Sequence, residues 1–241
     1  MLVQKESKIG EIVSQNFQTA KVLDNFGIDF CCGGKKTLGD ACREKGVNPE
    51  FVVSEISRIQ DSNGSAARFD SWDVDFLIDF IVNNHHSYVL SSIPTIEHHL
   101  QKVISAHGER YPELAKIDEA FSDLKEELLT HMAKEEKMLF PYVKKMHIAY
   151  KNTLPPFGTI SSPIKLMESE HEKAGKFMES INQLANSYFP PVDACTTFRV
   201  LYEELKEFER DLRIHIHLEN NILFPKSAIL EKELSKTYNI L

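Results

Sequence analysis

No run of roughly 18 apolar residues occurs in these 241 residues, so a membrane-spanning helix is not expected. The opening stretch MLVQKESKIGE also has no apolar signal region, and the expected compartment is the cytoplasm. Basic charge is not in excess. The 28 Lys and Arg against 36 Asp and Glu leave a net charge of −8, and no basic run carries interleaved aromatics, which argues against a nucleic-acid footprint. Cysteine is scarce: there are four, two of them adjacent, which is not the pattern of a secreted disulfide framework. No Cys-x-x-Cys spacing supports a zinc site. What remains is an ordinary soluble balance of 42% hydrophobic and 27% charged residues, enough for a sizeable core.

One motif occurs twice. Residues 131–141 read HMAKEEKMLFP and residues 215–225 read HIHLENNILFP, sharing H-x-x-x-E-x-x-x-L-F-P. The alignment pairs His131 with His215 and Glu135 with Glu219. A further histidine precedes each copy: His86 by 45 residues and His171 by 44. Residues i and i+4 lie on one helix face, a turn apart. The chain therefore repeats a two-helix unit with one His on its first helix and His-x-x-x-Glu on its second. Packed as a four-helix bundle, two such units point four imidazoles and two carboxylates inward.

A single His on an apolar helix face is usually a hydrogen-bonded core residue. The repeat changes that weighting. Leu201, Leu205, Phe208 and Leu212 share a face with His215, Glu219 and Ile222, and Leu124 and Leu128 share one with His131, Glu135 and Met138. Ionisable groups placed in a core twice, in register, cost several kcal/mol unless paired or metal-bound. His86 is preferred over its neighbour His85 because Val82, Val89, Leu90 and Ile93 continue its stripe.

Ligand type narrows the metal. Structural zinc usually takes Cys, while calcium and magnesium want oxygen. Four His and two Glu make a nitrogen-rich set that fits two non-haem irons bridged by the carboxylates, with room for an oxo or hydroxo bridge and for O₂, NO or peroxide. Glu127 and Glu170 are candidates for supporting the ligands or admitting iron, with surface ion pairs as the competing role.

The expected architecture is all-α: a small helical N-terminal domain over 1–62, then a four-helix up-down bundle over 71–235. The first domain contains short helices, the second of them ended by Gly27, and Pro49 suits the first turn of another. Residues 61–71 read as a linker. The bundle helices are expected at about 72–106 with a break or bend at Pro94, from Pro112 to near His147, at 163–186 with Ile164, Met167, His171, Ala174, Met178 and Ile181 on one side, and from Asp193 onward.

Between the short N-terminal helices lies Cys31-Cys32-Gly33-Gly34. Reduced thiols are expected, since a disulfide between adjacent cysteines is strained. The plain reading is two small residues packed in a turn. The functional one is a thiol pair that exchanges electrons, or transiently holds iron or NO, with Lys35 and Lys36 favouring ionisation. Cys42 and Cys195 read as packing residues.

The bundle with His86, His131-x-x-x-Glu135, His171 and His215-x-x-x-Glu219 resembles a hemerythrin-like di-iron domain. With FGIDFCCGG ahead of it, the chain from 1 to about 230 resembles the RIC family of iron–sulfur cluster repair di-iron proteins. The resemblance implies a cytoplasmic stress protein that restores iron–sulfur clusters damaged by oxidants or nitric oxide. It implies iron donation or redox chemistry at the di-iron site, with NO reduction as an associated activity. It also implies that these four His and two Glu are the iron ligands, the glutamates bridging, and it favours the functional reading of Cys31 and Cys32. Damaged iron–sulfur proteins are then the partners, with NO or O₂ as small ligands, and a homodimer is left open. The alternative is a hemerythrin-like O₂ or NO binding or sensing protein, which the CCGG unit counts against.

Overall fold

The computed structural model describes residues 3–61, 68–148 and 159–238. The helices, in chain order, are α1 (Ile9–Gln15), α2 (Thr19–Asn25), α3 (Leu38–Lys45), α4 (Pro49–Asp61), α5 (Val74–Phe80), α6 (Ser87–His107), α7 (Glu113–Lys134), α8 (Phe140–Ile148), α9 (Ser161–Leu184), α10 (Thr196–Leu218) and α11 (Phe224–Tyr238). Three π turns interrupt them, at Ile81–His86, Glu135–Leu139 and Glu219–Leu223. Among the described residues the only β pairing is an isolated bridge between Lys8 and Thr37. The fold is all-α, as the sequence predicts.

The chain divides into two compact units, one of residues 80–142 and 162–212, the other of residues 1–79, 143–161 and 213–241. In the first, each long helix packs on two neighbours. Lys125 of α7 pairs with Glu97 of α6, and Lys173 of α9 with Glu127 of α7. Asn182 of α9 donates to Glu209 of α10, and His99 of α6 meets Glu204 of α10 at 2.7 Å. That closes a ring of four. Between each pair of neighbours, residue numbers rise on one helix as they fall on the other, so all four contacts are antiparallel and the topology is up-down-up-down.

The core stripes follow helical periodicity. On α9, Ile164, Met167, His171, Ala174, Met178 and Ile181 are all buried, the six named from spacing alone. On α10 the buried set includes Leu201, Leu205, Phe208 and Leu212, with Phe208 edge-on to Phe121 of α7.

Two expectations fail where the helix is not a regular α-helix. Met138 is 56% exposed and Leu139 is buried instead, because the π turn at Glu135–Leu139 adds a residue and rotates everything after it. Likewise Leu90 is 51% exposed while Val89 and Ile93 are buried. The irregularity in this part of the chain is the π turn at Ile81–His86; α6 runs from Ser87 to His107 through Pro94 without a break.

The second unit holds the short N-terminal helices. Gly27, at φ +65°, ends the second of them, with Gly27 N–H donating to Asp24 O and Ile28 N–H to Leu23 O. Pro49 opens α4. The core of this unit includes Ile9, Ile12, Leu23, Ile28, Phe30, Leu38 and Ile56. Of the expected linker, residues 62–67 lie outside those described. Phe69–Ser71 form a 3₁₀ turn in which Phe69 is buried against Phe17 and Trp72, so that end is anchored structure. Most of the Pro- and Gly-containing loop after α8 also lies outside the described residues.

Candidate metal centre

Both copies of H-x-x-x-E-x-x-x-L-F-P break the helix in the same way. α7 gives way to a π turn at Glu135 and α10 at Glu219, and each regular helix resumes at the Phe of Leu-Phe-Pro. The prolines supply the cause. Pro141 and Pro225 have no N–H to donate, and their rings crowd the carbonyls of Lys137 and Asn221, four residues back and in the middle of each wide turn. Widening the turn relieves that crowding. π turns inside α-helices frequently mark functional sites, and here each begins on a glutamate with zero exposure. The third π turn, ending at His86, has no such proline.

In the bundle unit, His86, His131, Glu135 and His171 come together. Nε2 of His86 and Nε2 of His131 each lie 3.4 Å from Glu135 Oε2. His171 Nε2 faces His131 Nε2 at 2.9 Å. All three histidines are at most 3% exposed. The other nitrogen of two of these rings is held from behind: His86 Nδ1 by Glu136 Oε1 at 2.8 Å and His131 Nδ1 by Glu170 Oε2 at 2.9 Å. This is the carboxylate–imidazole arrangement that fixes ring orientation and raises the basicity of a metal-ligating nitrogen. His86 also stacks on Phe140, their centroids 5.9 Å apart.

Glu170 thus braces His131, the supporting role considered for it. Its hydrogen bond from His131 and its pairing with Lys134 outweigh partial burial and bring its carboxyl down to about 2. Glu127, by contrast, pairs with Lys173 at the surface. Replacing Glu170 by Gln should leave the fold intact while weakening iron binding about 10- to 100-fold, measured by competition with a chelator.

His85 and His86 are both buried and part company. His85 Nδ1 meets Asp211 Oδ1 of α10 at 2.9 Å, whereas His86 turns to Glu135 and Glu136. In the other unit, His215 Nε2 lies 3.0 Å from Glu219 Oε1, and both residues are at most 1% exposed. Two turns of the same stretch carry neighbours that spacing did not single out. His217 is fully buried against Phe17 and Phe30, and burial pushes its pKa down to about 4, so the ring is neutral at ordinary pH. Asn221 Nδ2 donates to the carbonyls of Phe30 (3.3 Å) and Cys31 (3.0 Å).

That contact seats the cysteine turn, Cys32–Lys35, on the π turn at Glu219–Leu223. Only glycine fits there: a Cβ on Gly34 would lie 2.0 Å from Asn221 Oδ1 and one on Gly10 2.5 Å. Cys31 is buried and Cys32 half-buried, so the pair is less open than the sequence suggests. The expected ionisation by lysine is not borne out for Cys31. Its hydrogen bond with Cys32, burial and the charge of Asp29 push its pKa well up, and Lys36 is engaged with Glu44 at 2.6 Å. Cys42 is buried as expected, but Cys195 is exposed, 3.2 Å from His107 Nε2.

A family model described as the hemerythrin HHE cation-binding domain matches residues 77–227, and ScdA_N, a domain of unknown function, matches residues 5–60. Among curated proteins, the chain is similar to the iron–sulfur cluster repair protein YtfE of Yersinia pseudotuberculosis. The identity is 33%, over 92% of this chain and 97% of the relative. A probable iron–sulfur cluster repair protein of Haemophilus influenzae is 32% identical over 92% and 96% of the two chains. ScdA of Staphylococcus haemolyticus, also called an iron–sulfur cluster repair protein, is 28% identical over 93% and 99%. With its ScdA_N unit, its hemerythrin domain and a buried histidine–glutamate cluster in a closed four-helix ring, the chain belongs to the iron–sulfur cluster repair protein family.

Proposed function

We propose that this protein repairs iron–sulfur clusters damaged by oxidants or nitric oxide, using two non-haem irons held by His86, His131, Glu135, His171, His215 and Glu219. The observation that carries the reading is Glu135, wholly buried, with two carboxylate-braced imidazoles aimed at one of its oxygens. A carboxylate taken out of water at such cost makes sense as a ligand to a cation, and His/carboxylate sets suit iron. The repeat and its twin π turns extend the reading to His215 and Glu219, equally buried and within the span of the hemerythrin match. The repeat also relates Glu135 to Glu219, which is why both are assigned as bridges. The names of the relatives carry the assignment to cluster repair.

When bound, the iron pair would supply ferrous–ferric redox chemistry, sites for NO or O₂, and iron that can be given up to a damaged cluster. The chain does the rest. Glu136 and Glu170 hold His86 and His131 with Nε2 directed at Glu135, and Phe140 stacks on the ring of His86. The apolar stripes of the bundle keep bulk water from the ligands. Cys31 and Cys32, whose turn rests on the turn that begins with Glu219, would pass electrons, iron or NO to a client.

The test is reactivation of a [4Fe–4S] enzyme damaged by nitric oxide. Iron-loaded protein should restore its activity, and the His131→Ala variant should be at least about tenfold slower. Equal reactivation by the two proteins would remove the histidine–glutamate cluster from the reaction.

A further inference from the structure

The turn after Phe30 is built around one carboxylate. Asp29 Oδ1 accepts from the backbone N–H of Cys31 (2.9 Å) and of Cys32 (3.2 Å), and Oδ2 accepts from Gly33 N–H (2.9 Å). Three amides therefore fix its orientation. The same Oδ1 lies 3.0 Å from Cys31 Sγ, which lies 3.9 Å from Cys32 Sγ. One oxygen of Asp29 and both sulfurs fall within 4.8 Å of one another.

That sulfur–sulfur distance is informative. Two thiolates bound tetrahedrally to one ion, with metal–sulfur bonds of about 2.3 Å, stand about 3.8 Å apart. The pair is already at that spacing, and the turn that carries it is held on both sides. Asp29 grips its amides, and Asn221 grips the carbonyls of Phe30 and Cys31 from the notch lined by Gly10 and Gly34. A site ordered before the ion arrives forfeits little entropy on binding.

We propose that Asp29, Cys31 and Cys32 form a second, mononuclear cation site, taking a thiophilic first-row divalent ion through two thiolates and one carboxylate oxygen, with a fourth position open. Binding breaks two S–H bonds, forms two metal–sulfur bonds and releases two protons to solvent; no electron moves. Asp29 exchanges its hydrogen bond from Cys31 for a bond to the ion and keeps its three amides. Soft sulfur ligands select for ions such as ferrous iron, cobalt or zinc over magnesium or calcium. An open fourth position is the feature of a site that takes a further ligand rather than one that staples a fold. The site stands on this turn alone and does not require the histidine–glutamate ligand set.

The experiment is cobalt binding by the full-length reduced protein, read by X-ray absorption at the cobalt edge, which separates it from iron. The wild type should show about two sulfurs at about 2.3 Å around one bound cobalt. Cys32→Ser, a near-isosteric change at a half-buried position, should lose a sulfur. Asp29→Asn, which keeps Oδ1 as a backbone acceptor, should bind cobalt at least about tenfold more weakly. His131→Ala should retain the sulfur shell, so failure of the proposed iron site and failure of this one are told apart. A wild-type spectrum without sulfur, or sulfur content unchanged by Cys32→Ser, would overturn the proposal. Undiminished affinity in Asp29→Asn would overturn the part assigned to the carboxylate.

Discussion

Glu135→Leu is expected to move iron binding and metal-free stability in opposite directions. In the presence of iron the variant should lose the coupled pair of ions, because the carboxylate proposed to bridge them has been removed. Stripped of metal, the same variant should be more stable than wild type, by about 1–3 kcal/mol. The reason is burial. Glu135 has zero exposure, and in metal-free protein its charge must be balanced by nearby imidazoles at the cost of leaving water. Leucine has similar bulk and no such cost. Urea unfolding with and without iron would show the crossing. A variant less stable than wild type in both conditions would mean that Glu135 is a structural group whose pairing repays its burial.

Replacing both Cys31 and Cys32 by serine should separate iron content from function. All six proposed ligands lie at or beyond residue 86, so iron in the bundle should stay at the wild-type level. Reactivation of a nitric-oxide-damaged cluster should fall at least about tenfold. The structure sharpens this expectation by making the two thiols unequal. Cys31 is buried and its thiol held protonated beside Asp29, while Cys32 is half-buried. Cys32→Ser alone should therefore produce most of the loss, since the thiolate is the reactive form and the more accessible sulfur meets a client first. Full activity in the double variant would leave the bundle as the functional unit.

Much of the fold was legible because helical periodicity and burial obey the same geometry. The buried stripe of α9 matches its sequence spacing residue for residue, and the four long helices close into the expected ring. Spacing misleads where the helix ceases to be regular. The exchange of Met138 for Leu139 follows from a π turn, which shifts the face by one residue. The proline in each Leu-Phe-Pro was the available signal, since a ring placed there must disturb the carbonyl four residues earlier. The braces were harder to see. Glu170 stood out by its place beside His171, but Glu136 reaches His86 on another helix, a relation that depends on how the bundle closes and leaves no trace in local spacing. Asp29 is of another kind. Its role comes from a carboxylate folding back on the amides that follow, as Asp does in turns, and it could have been read from its place two residues before Cys31.

The most direct test of the central claim is an iron count on purified protein together with Mössbauer spectroscopy, run on wild type and on His131→Ala, with His98→Ala as an exposed control. The account predicts about two irons per chain in wild type and in His98→Ala, magnetically coupled through the bridging carboxylates, and a loss of that coupled pair in His131→Ala. Uncoupled or mononuclear iron in wild type, or equal iron in all three proteins, would contradict it.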